Sequence, residues 1–236
     1  MVDENALQEL RSEAVEDFLK TIYILQRDHA LVPTSLIAQQ LDITPPSATD
    51  MAKKLSDQQR LEEPLIIYER YKGVRLTALG ESIALEVLRH HRLIELYLVK
   101  ALGYTWDEVH DEADKLEHHI SERFEARIAE YLGHPEIDPH GDPIPTLEGD
   151  MPSDTHLIGL DEMPLHQRGT VARLLDQSPE KLQYLANKGL VPGVDILVTE
   201  REPYDGLTHV VVDTKTHILS QSITRTVLVS LLSERT

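Results

Sequence analysis

The chain of 236 residues contains no cysteine. Disulfides are therefore excluded, and so is any metal site built on thiolates. No apolar run approaches the roughly 18 residues that a membrane span needs, so no membrane partner is expected. The stretch from Met1 to Arg11 is polar and acidic rather than an apolar secretory signal, which implies a cytoplasmic protein. Positive charge is scarce as well: 23 Lys and Arg stand against 41 Asp and Glu, for a net charge of −18. Phosphate contacts need cations, so this balance weighs against nucleic-acid binding. Its distribution matters more than its sum. Residues 33–75 carry six basic and six acidic side chains, whereas residues 76–152 carry six and seventeen. The acid is concentrated in one segment, where bound divalent cations would cancel part of it.

What is present fits a globular protein of one large or two smaller domains, 27 % charged and 41 % hydrophobic. Residues 5–27 show helical apolar spacing at Val15, Phe18, Leu19, Ile22, Tyr23 and Leu25, without Gly or Pro. A second helix follows from Ser35 to Leu41. After the break Asp42-Ile43-Thr44, Pro45-Pro46-Ser47 opens a third, running to about Arg60. Leu65-Ile66-Ile67-Tyr68 and Val74-Arg75-Leu76, joined through Gly73, read as a hairpin. Thr77 caps a helix over 78–102, Gly103 ends it, and another helix is expected over 105–132. Residues 133–152 are rich in Pro, Gly and Asp and read as an ordered linker. Beyond it, strands are expected at 170–175, 195–200, 209–212 and 223–228, with one short helix from Ser178 to about Lys188. The expected architecture is mainly α with a small β domain. A winged helix-turn-helix occupies residues 1–76, a helical metal-binding and dimerisation domain 77–133, the linker 134–152 and an SH3-like barrel 153–236.

Helix, short turn, helix and hairpin is the order of a DNA-binding winged helix. The N-terminal residues of its second helix, Thr44, Pro46, Ser47, Thr49 and Asp50, would face base edges in the major groove, with Pro46 and Ala48 able to touch a thymine methyl. Ser35 joins this DNA-facing set, and Lys53, Lys54, Arg70, Lys72 and Arg75 are the expected phosphate contacts.

The acidic segment holds two further patterns. His110, Asp114, Glu117 and His118 are spaced i, i+4, i+7 and i+8, one stripe on a helix. His91 and Glu95, one turn apart, form a second. Facing helices build metal sites from such stripes. With only nitrogen and oxygen donors, the set favours hard or borderline ions such as Mn(II) or Fe(II), although other divalent transition metals would bind in vitro. No HExxH motif is present. His90, His119, His134 and His140 read as structural or solvent residues.

Taken together, Glu16-Asp17-Phe18-Leu19-Lys20-Thr21-Ile22-Tyr23, the winged helix, Leu76-Thr77-Ala78-Leu79-Gly80, His91-Arg92-Leu93-Ile94-Glu95, the run from His110 to His119 and the linker's His134-Pro135 and Pro139-His140-Gly141 resemble the diphtheria-toxin-repressor family of metal-dependent iron and manganese regulators. The resemblance implies a homodimer with two metal sites per subunit, a palindromic double-stranded operator and a C-terminal SH3-like barrel. It implies a regulatory site of Asp17, Asp114, Glu117 and His118. A second site would use His91, Glu95 and His110, with Asp176 from the barrel. Asp17 and Asp114 are carboxylates as in the manganese-sensing members, so Mn(II) is the expected ion and Fe(II) the alternative. Two positions depart from the pattern: Lys20 stands where some manganese sensors have a carboxylate, and Arg173 where some iron sensors have a second barrel ligand. The function so implied is repression of metal-uptake genes when metal is plentiful, with no enzymatic activity. A hydrolytic or oxidative metal centre on the His/Glu/Asp helices, or a winged-helix sensor of a non-metal ligand, are the alternatives.

Overall fold

In the computed structural model, residues 12–57, 63–152 and 157–232 are described. Helix α1 (Glu13–Leu25) buries Val15, Phe18, Leu19 and Ile22, one stripe at helical spacing. The expected residues 5–11 of this helix lie outside the described residues. Helix α2 (Thr34–Gln40) and helix α3 (Pro45–Ser56) form the helix-turn-helix. Thr44 caps α3 by accepting a hydrogen bond from the Ser47 amide at 3.3 Å, and Pro45 and Pro46 fill the first turn, where a missing N–H costs nothing. Helix α3 stops at Ser56, four residues short of the expected Arg60; residues 58–62 lie outside the described ones.

Strands β1 (Ile66–Glu69) and β2 (Gly73–Leu76) pair antiparallel as the wing. Val32 exchanges hydrogen bonds of 2.8 and 2.9 Å with Val74, which pins the wing to the segment before α2. This approach requires Gly73: its φ is +140°, and a Cβ there would stand 2.5 Å from the Val32 carbonyl oxygen. Side chains of α1, α2, α3 and the wing share one apolar core, with Phe18, Leu19, Ile37, Leu55, Leu65 and Ile66 fully buried.

Thr77 caps helix α4 (Ala78–Tyr97), which finishes in one π-helical turn, Leu98–Leu102, at Gly103 with φ +74°. The single helix expected over 105–132 is instead two, α5 (Val109–Leu116) and α6 (Glu122–Tyr131). Ser121 starts the second by accepting from the Phe124 amide at 3.3 Å, with Glu122 and Glu125 in the first turn, so residues 117–121 form a turn.

The chain divides into two compact units. One comprises the described residues of Met1–His91 with Glu117–Ile120 and Pro145–Met151; the other comprises those of Arg92–Leu116, Ser121–Ile144 and Pro152–Thr236. In the second unit, β3 (Leu157–Gly159), β4 (Arg168–Leu174), β5 (Asp195–Arg201), β6 (Thr208–Val212), β7 (Lys215–Leu219) and β8 (Val227–Leu231) form an antiparallel sheet of order β3-β8-β4-β5-β6-β7. Helix α7 (Pro179–Ala186) packs Leu182 and Leu185 into its core beside Leu174, Val198 and Val229. The sheet has two strands beyond the expected four, β3 and β7. The strand expected at 223–228 lies further on: Ser220 opens a helical turn, α8 (Gln221–Thr224), that absorbs Ile223 before β8 begins. Among the described residues no helix is long and apolar enough to cross a membrane.

Candidate metal centre

Because α5 ends at Leu116, Glu117 and His118 leave the stripe that His110 and Asp114 occupy and sit in the following turn. There they meet α1. His118 Nε2 lies 3.1 Å from Asp17 Oδ1 and 3.4 Å from Glu117 Oε1, while its Nδ1 lies 2.6 Å from Glu16 Oε2. Asp17, Glu117 and His118 each present a ligand atom within 4.8 Å of the others. Glu117 is held on both oxygens, by the Lys20 ammonium at 2.6 Å and by His91 Nδ1 at 2.5 Å. Burial disfavours a charged His118 ring. The hydrogen bonds to Asp17 and Glu16 and the charge of Glu117 outweigh it and raise the pKa to about 10. The arrangement fits a divalent cation: one imidazole nitrogen facing two carboxylates, and the other nitrogen oriented by a third.

A second cluster lies in the other unit. Glu95, Asp138 and His140 are all buried and present ligand atoms within 4.8 Å of one another. His140 Nε2 donates to the Trp106 carbonyl at 2.7 Å, and the two rings stack at 6.0 Å. That leaves Nδ1 buried, 3.7 Å from Glu95 Oε2, with no hydrogen-bond partner among the described residues. Burial disfavours a charged His140 ring, but Glu95 and the charge of Asp138 outweigh it and raise its pKa. Once that proton is displaced, Nδ1 facing two carboxylates suits a metal ion. Burial, with the charges of Glu95 and Asp142, holds the Asp138 carboxyl well above the usual carboxylate range. Asp138 Oδ1 accepts from the His140 and Asp142 amides at 2.8 and 2.9 Å, so the carboxylate organises the loop that carries both ligands. Arg92 and Arg173 compensate the acid. Asp142 lies 3.6 Å from the first and 3.4 Å from the second, and it accepts from Gln177 at 2.7 Å. Gly141 is required where this loop meets β4, since a Cβ would stand 1.9 Å from the Ala172 carbonyl oxygen.

The structure thus brings together Asp17, Glu117 and His118 as expected. Asp114 joins His110 instead, at 3.8 Å one helical turn on, and His110 also reaches Glu95 at 3.3 Å. His91, expected in the second site, holds Glu117. Asp176 is engaged elsewhere: it accepts from the Ser178 amide and hydroxyl and pairs with Lys181. Those partners overcome burial and lower its pKa, and it joins no ligand cluster among the described residues. Arg173 explains the change on the barrel side, because its guanidinium already serves Asp142 and the Gly141 carbonyl. Sequence spacing missed Glu16, Asp138 and His140. The adjacent Glu16-Asp17 pair was a signal for the first. Asp138 and His140 lie in the proline-rich stretch read as a linker, where no periodicity marks them.

Of the residues expected to face DNA, Ser35, Thr44, Pro46, Ser47, Asp50 and Lys72 are exposed, with Thr49 and Lys54 half-buried. Thr49 donates to the Pro45 carbonyl at 2.9 Å, and Asp50 pairs with Lys53 at 3.2 Å. Ala48 is fully buried, so of the two residues expected to reach a thymine methyl only Pro46 is exposed.

Comparison with known proteins gives three matches along the chain. Residues 11–74 match the family described as iron dependent repressor, N-terminal DNA binding domain. Residues 77–146 match the iron dependent repressor, metal binding and dimerisation domain, and residues 158–231 the FeoA domain. The iron-dependent repressor IdeR of Mycobacterium tuberculosis is 32 % identical over 212 residues, which are 84 % of this chain and 89 % of that protein. A solved manganese-dependent transcriptional repressor in complex with manganese superposes with a TM-score of 0.81 at 36 % identity, over 92 % of this chain and 99 % of that one. ScaR with bound Cd2+ gives 0.74 at 34 %, over 92 % and 99 %.

Proposed function

The chain belongs to the iron-dependent repressor family, and from that premise we propose that it represses transcription as a homodimer on a palindromic operator when Mn(II) fills the Asp17–Glu117–His118 cluster. Membership makes it a DNA-binding, metal-dependent regulator rather than an enzyme. The choice of ion rests on the donors: oxygen and imidazole nitrogen, in a chain without cysteine, favour Mn(II), with Fe(II) as the alternative.

The observation that carries the reading is the mounting of Asp17. It rides on α1, whose Val15, Phe18, Leu19 and Ile22 pack in the same core as Ala48, Ala52 and Leu55 of α3. Joining Asp17 to Glu117 and His118 therefore fixes the mount of the recognition helix. A dimer needs that fixity, because its two recognition helices must match half-sites a set distance apart. Bound at the cluster, a divalent cation supplies the charge that cancels repulsion among the carboxylates. Without one, the protonated His118 ring and the Lys20 ammonium supply the positive charge there. Differential affinity for the two states couples metal to DNA.

We assign a second ion to Glu95, Asp138 and His140, supported by the unpartnered Nδ1. His91 then belongs with the first cluster, as the residue that steadies Glu117.

The test is selection from a random duplex pool with metal-stripped protein, run in parallel with Mn(II), with Fe(II) under anaerobic conditions, and with chelator. Enrichment of a palindrome by metal alone, best with Mn(II), is expected. Equal enrichment with chelator would make the ions structural and overturn the metal-dependent reading.

A further inference from the structure

The tip of the wing spends stability on a feature that the fold does not use. Tyr71 lies in the left-handed region at φ +66°, where a bulky side chain is an outlier, yet its ring is 88 % exposed. The Arg70 guanidinium lies 4.7 Å above that ring. The mount beneath is tied at several points. The Lys72 amide donates to the Glu69 carbonyl at 3.0 Å, Lys72 Nζ pairs with Glu69 at 2.9 Å, and Gly73 and Val74 are locked against Val32.

The recognition helix gives this tip its context. From Thr44 to Met51 it carries no cation, and Lys53 beyond it is paired with Asp50. Lys72 is likewise paired, with Glu69. Among the described residues no carboxylate lies within ion-pair distance of Arg70, whose guanidinium carbon sits over the tyrosine ring. A guanidinium carried over an aromatic ring and free of a carboxylate partner is suited to the narrow minor groove of A·T-rich DNA, whose negative potential attracts arginine.

We infer that Arg70, carried on the Tyr71 ring, enters the minor groove flanking the major-groove site and makes the repressor select A·T-rich flanks. The inference rests on the DNA-binding reading above and adds a second, shape-based source of specificity. Tyr71 is the positioning residue, and Arg70 the group that touches DNA.

The test is fluorescence anisotropy of the full chain with Mn(II), on the selected palindrome carrying A·T, G·C or inosine·cytosine pairs at the flank. Inosine·cytosine keeps the G·C major-groove face but lacks the minor-groove amino group. The parent should bind A·T and inosine·cytosine flanks roughly fivefold to tenfold more tightly than G·C, the low end of what one wrong base pair costs. Arg70→Ala and Tyr71→Asn should bring that ratio near one while keeping discrimination in the core of the site. Arg70→Lys should keep most of the affinity and lose the ratio, since an ammonium does not stack as a plane. Tyr71→Asn also relieves the backbone, so its Tm should stay level or rise, which separates loss of readout from loss of fold. Equal losses on all three flanks in the variants would reduce Arg70 to a phosphate contact and overturn the inference. A parent that binds but does not discriminate between flanks would overturn it as well. A parent that binds no duplex with metal would overturn the DNA-binding reading itself, and this inference with it.

Discussion

Around His118 the proposed ligands sit at a margin, whereas around His140 they are sealed. The Asp17 side chain is 40 % exposed, with His118 at 5 % and Glu117 at 0 %. Glu95 and His140 are at 1 % and 0 %, and Asp138 is buried with them. The first cluster joins a helix to a turn, and its positive charge comes from Lys20 and a protonated ring. The second is a loop folded around its own aspartate, with the Arg92 and Arg173 guanidinium groups beside its carboxylates. An ion can reach the first past Asp17. The second offers no such exposed donor among its three. The same donor chemistry thus yields a site suited to exchange with the surrounding metal pool and one suited to retention.

The strongest test of that contrast removes one ligand from each. Asp17→Ala should abolish metal-stimulated operator binding, a loss of more than about 100-fold, since even outer partners of metal ligands cost 10- to 100-fold. The circular dichroism spectrum and the metal-free Tm should stay close to those of the parent, because the side chain makes no core contact. His140→Ala should remove one ion per chain, counted by mass spectrometry under native conditions, and weaken the operator response by about tenfold without abolishing it. If His140→Ala silences the protein and Asp17→Ala does not, the roles of the two clusters are reversed.

The parts legible in the sequence were those fixed by local pattern. The stripe of α1, the Thr44-Pro45-Pro46 cap and the glycine of the wing each state their geometry within a few residues. The site was legible where its residue types were unusual together, as in the run from His110 to His118. Its geometry was not. A continuous helix satisfies the same spacing, and only the cap at Ser121 signals that Glu117 and His118 lie in a turn. Asp138 and His140 were illegible for a deeper reason. They meet Glu95 through a loop stabilised by Arg173 and Gln177 from β4 and the segment after it, and no periodicity encodes contacts made so far along the chain. Strands β3 and β7 escaped because the first has three residues and the second, Lys-Thr-His-Ile-Leu, has no long apolar run.

The proton on His118 sharpens the comparison by an intermediate effect. Its folded pKa, near 10, is raised above the ordinary 6.5, so the charged ring stabilises the metal-free fold fully below about pH 6.5. That contribution is lost as pH rises through about 10. A metal needs the neutral ring, so binding at pH 7.5 should release close to one proton, and affinity should climb with pH across this window. Calorimetry in two buffers of different ionisation heat measures the release directly. Glu16→Gln should reduce it, because Glu16 is among the groups that hold the proton in place. No release from the parent would mean that the ring is already neutral.

The smallest expected effect concerns Lys20. Its ammonium, 2.6 Å from Glu117 and 12 % exposed, occupies the oxygen of Glu117 that lies nearest His118 Nε2. It therefore competes with a metal for that carboxylate, and it also protects the metal-free state from an uncompensated buried charge. Lys20→Met keeps the length of the stem and removes the charge. Tighter Mn(II) binding at the first cluster is expected, by several-fold, because the ion no longer has to displace the ammonium from that oxygen. The metal-free Tm should fall, since among the described residues the Glu117 carboxylate then keeps His91 and His118 as its partners. The second cluster should not respond. Weaker binding in Lys20→Met would show that the ammonium positions Glu117 for the ion rather than competing with it. The margin of the first cluster would then be set by geometry instead of charge.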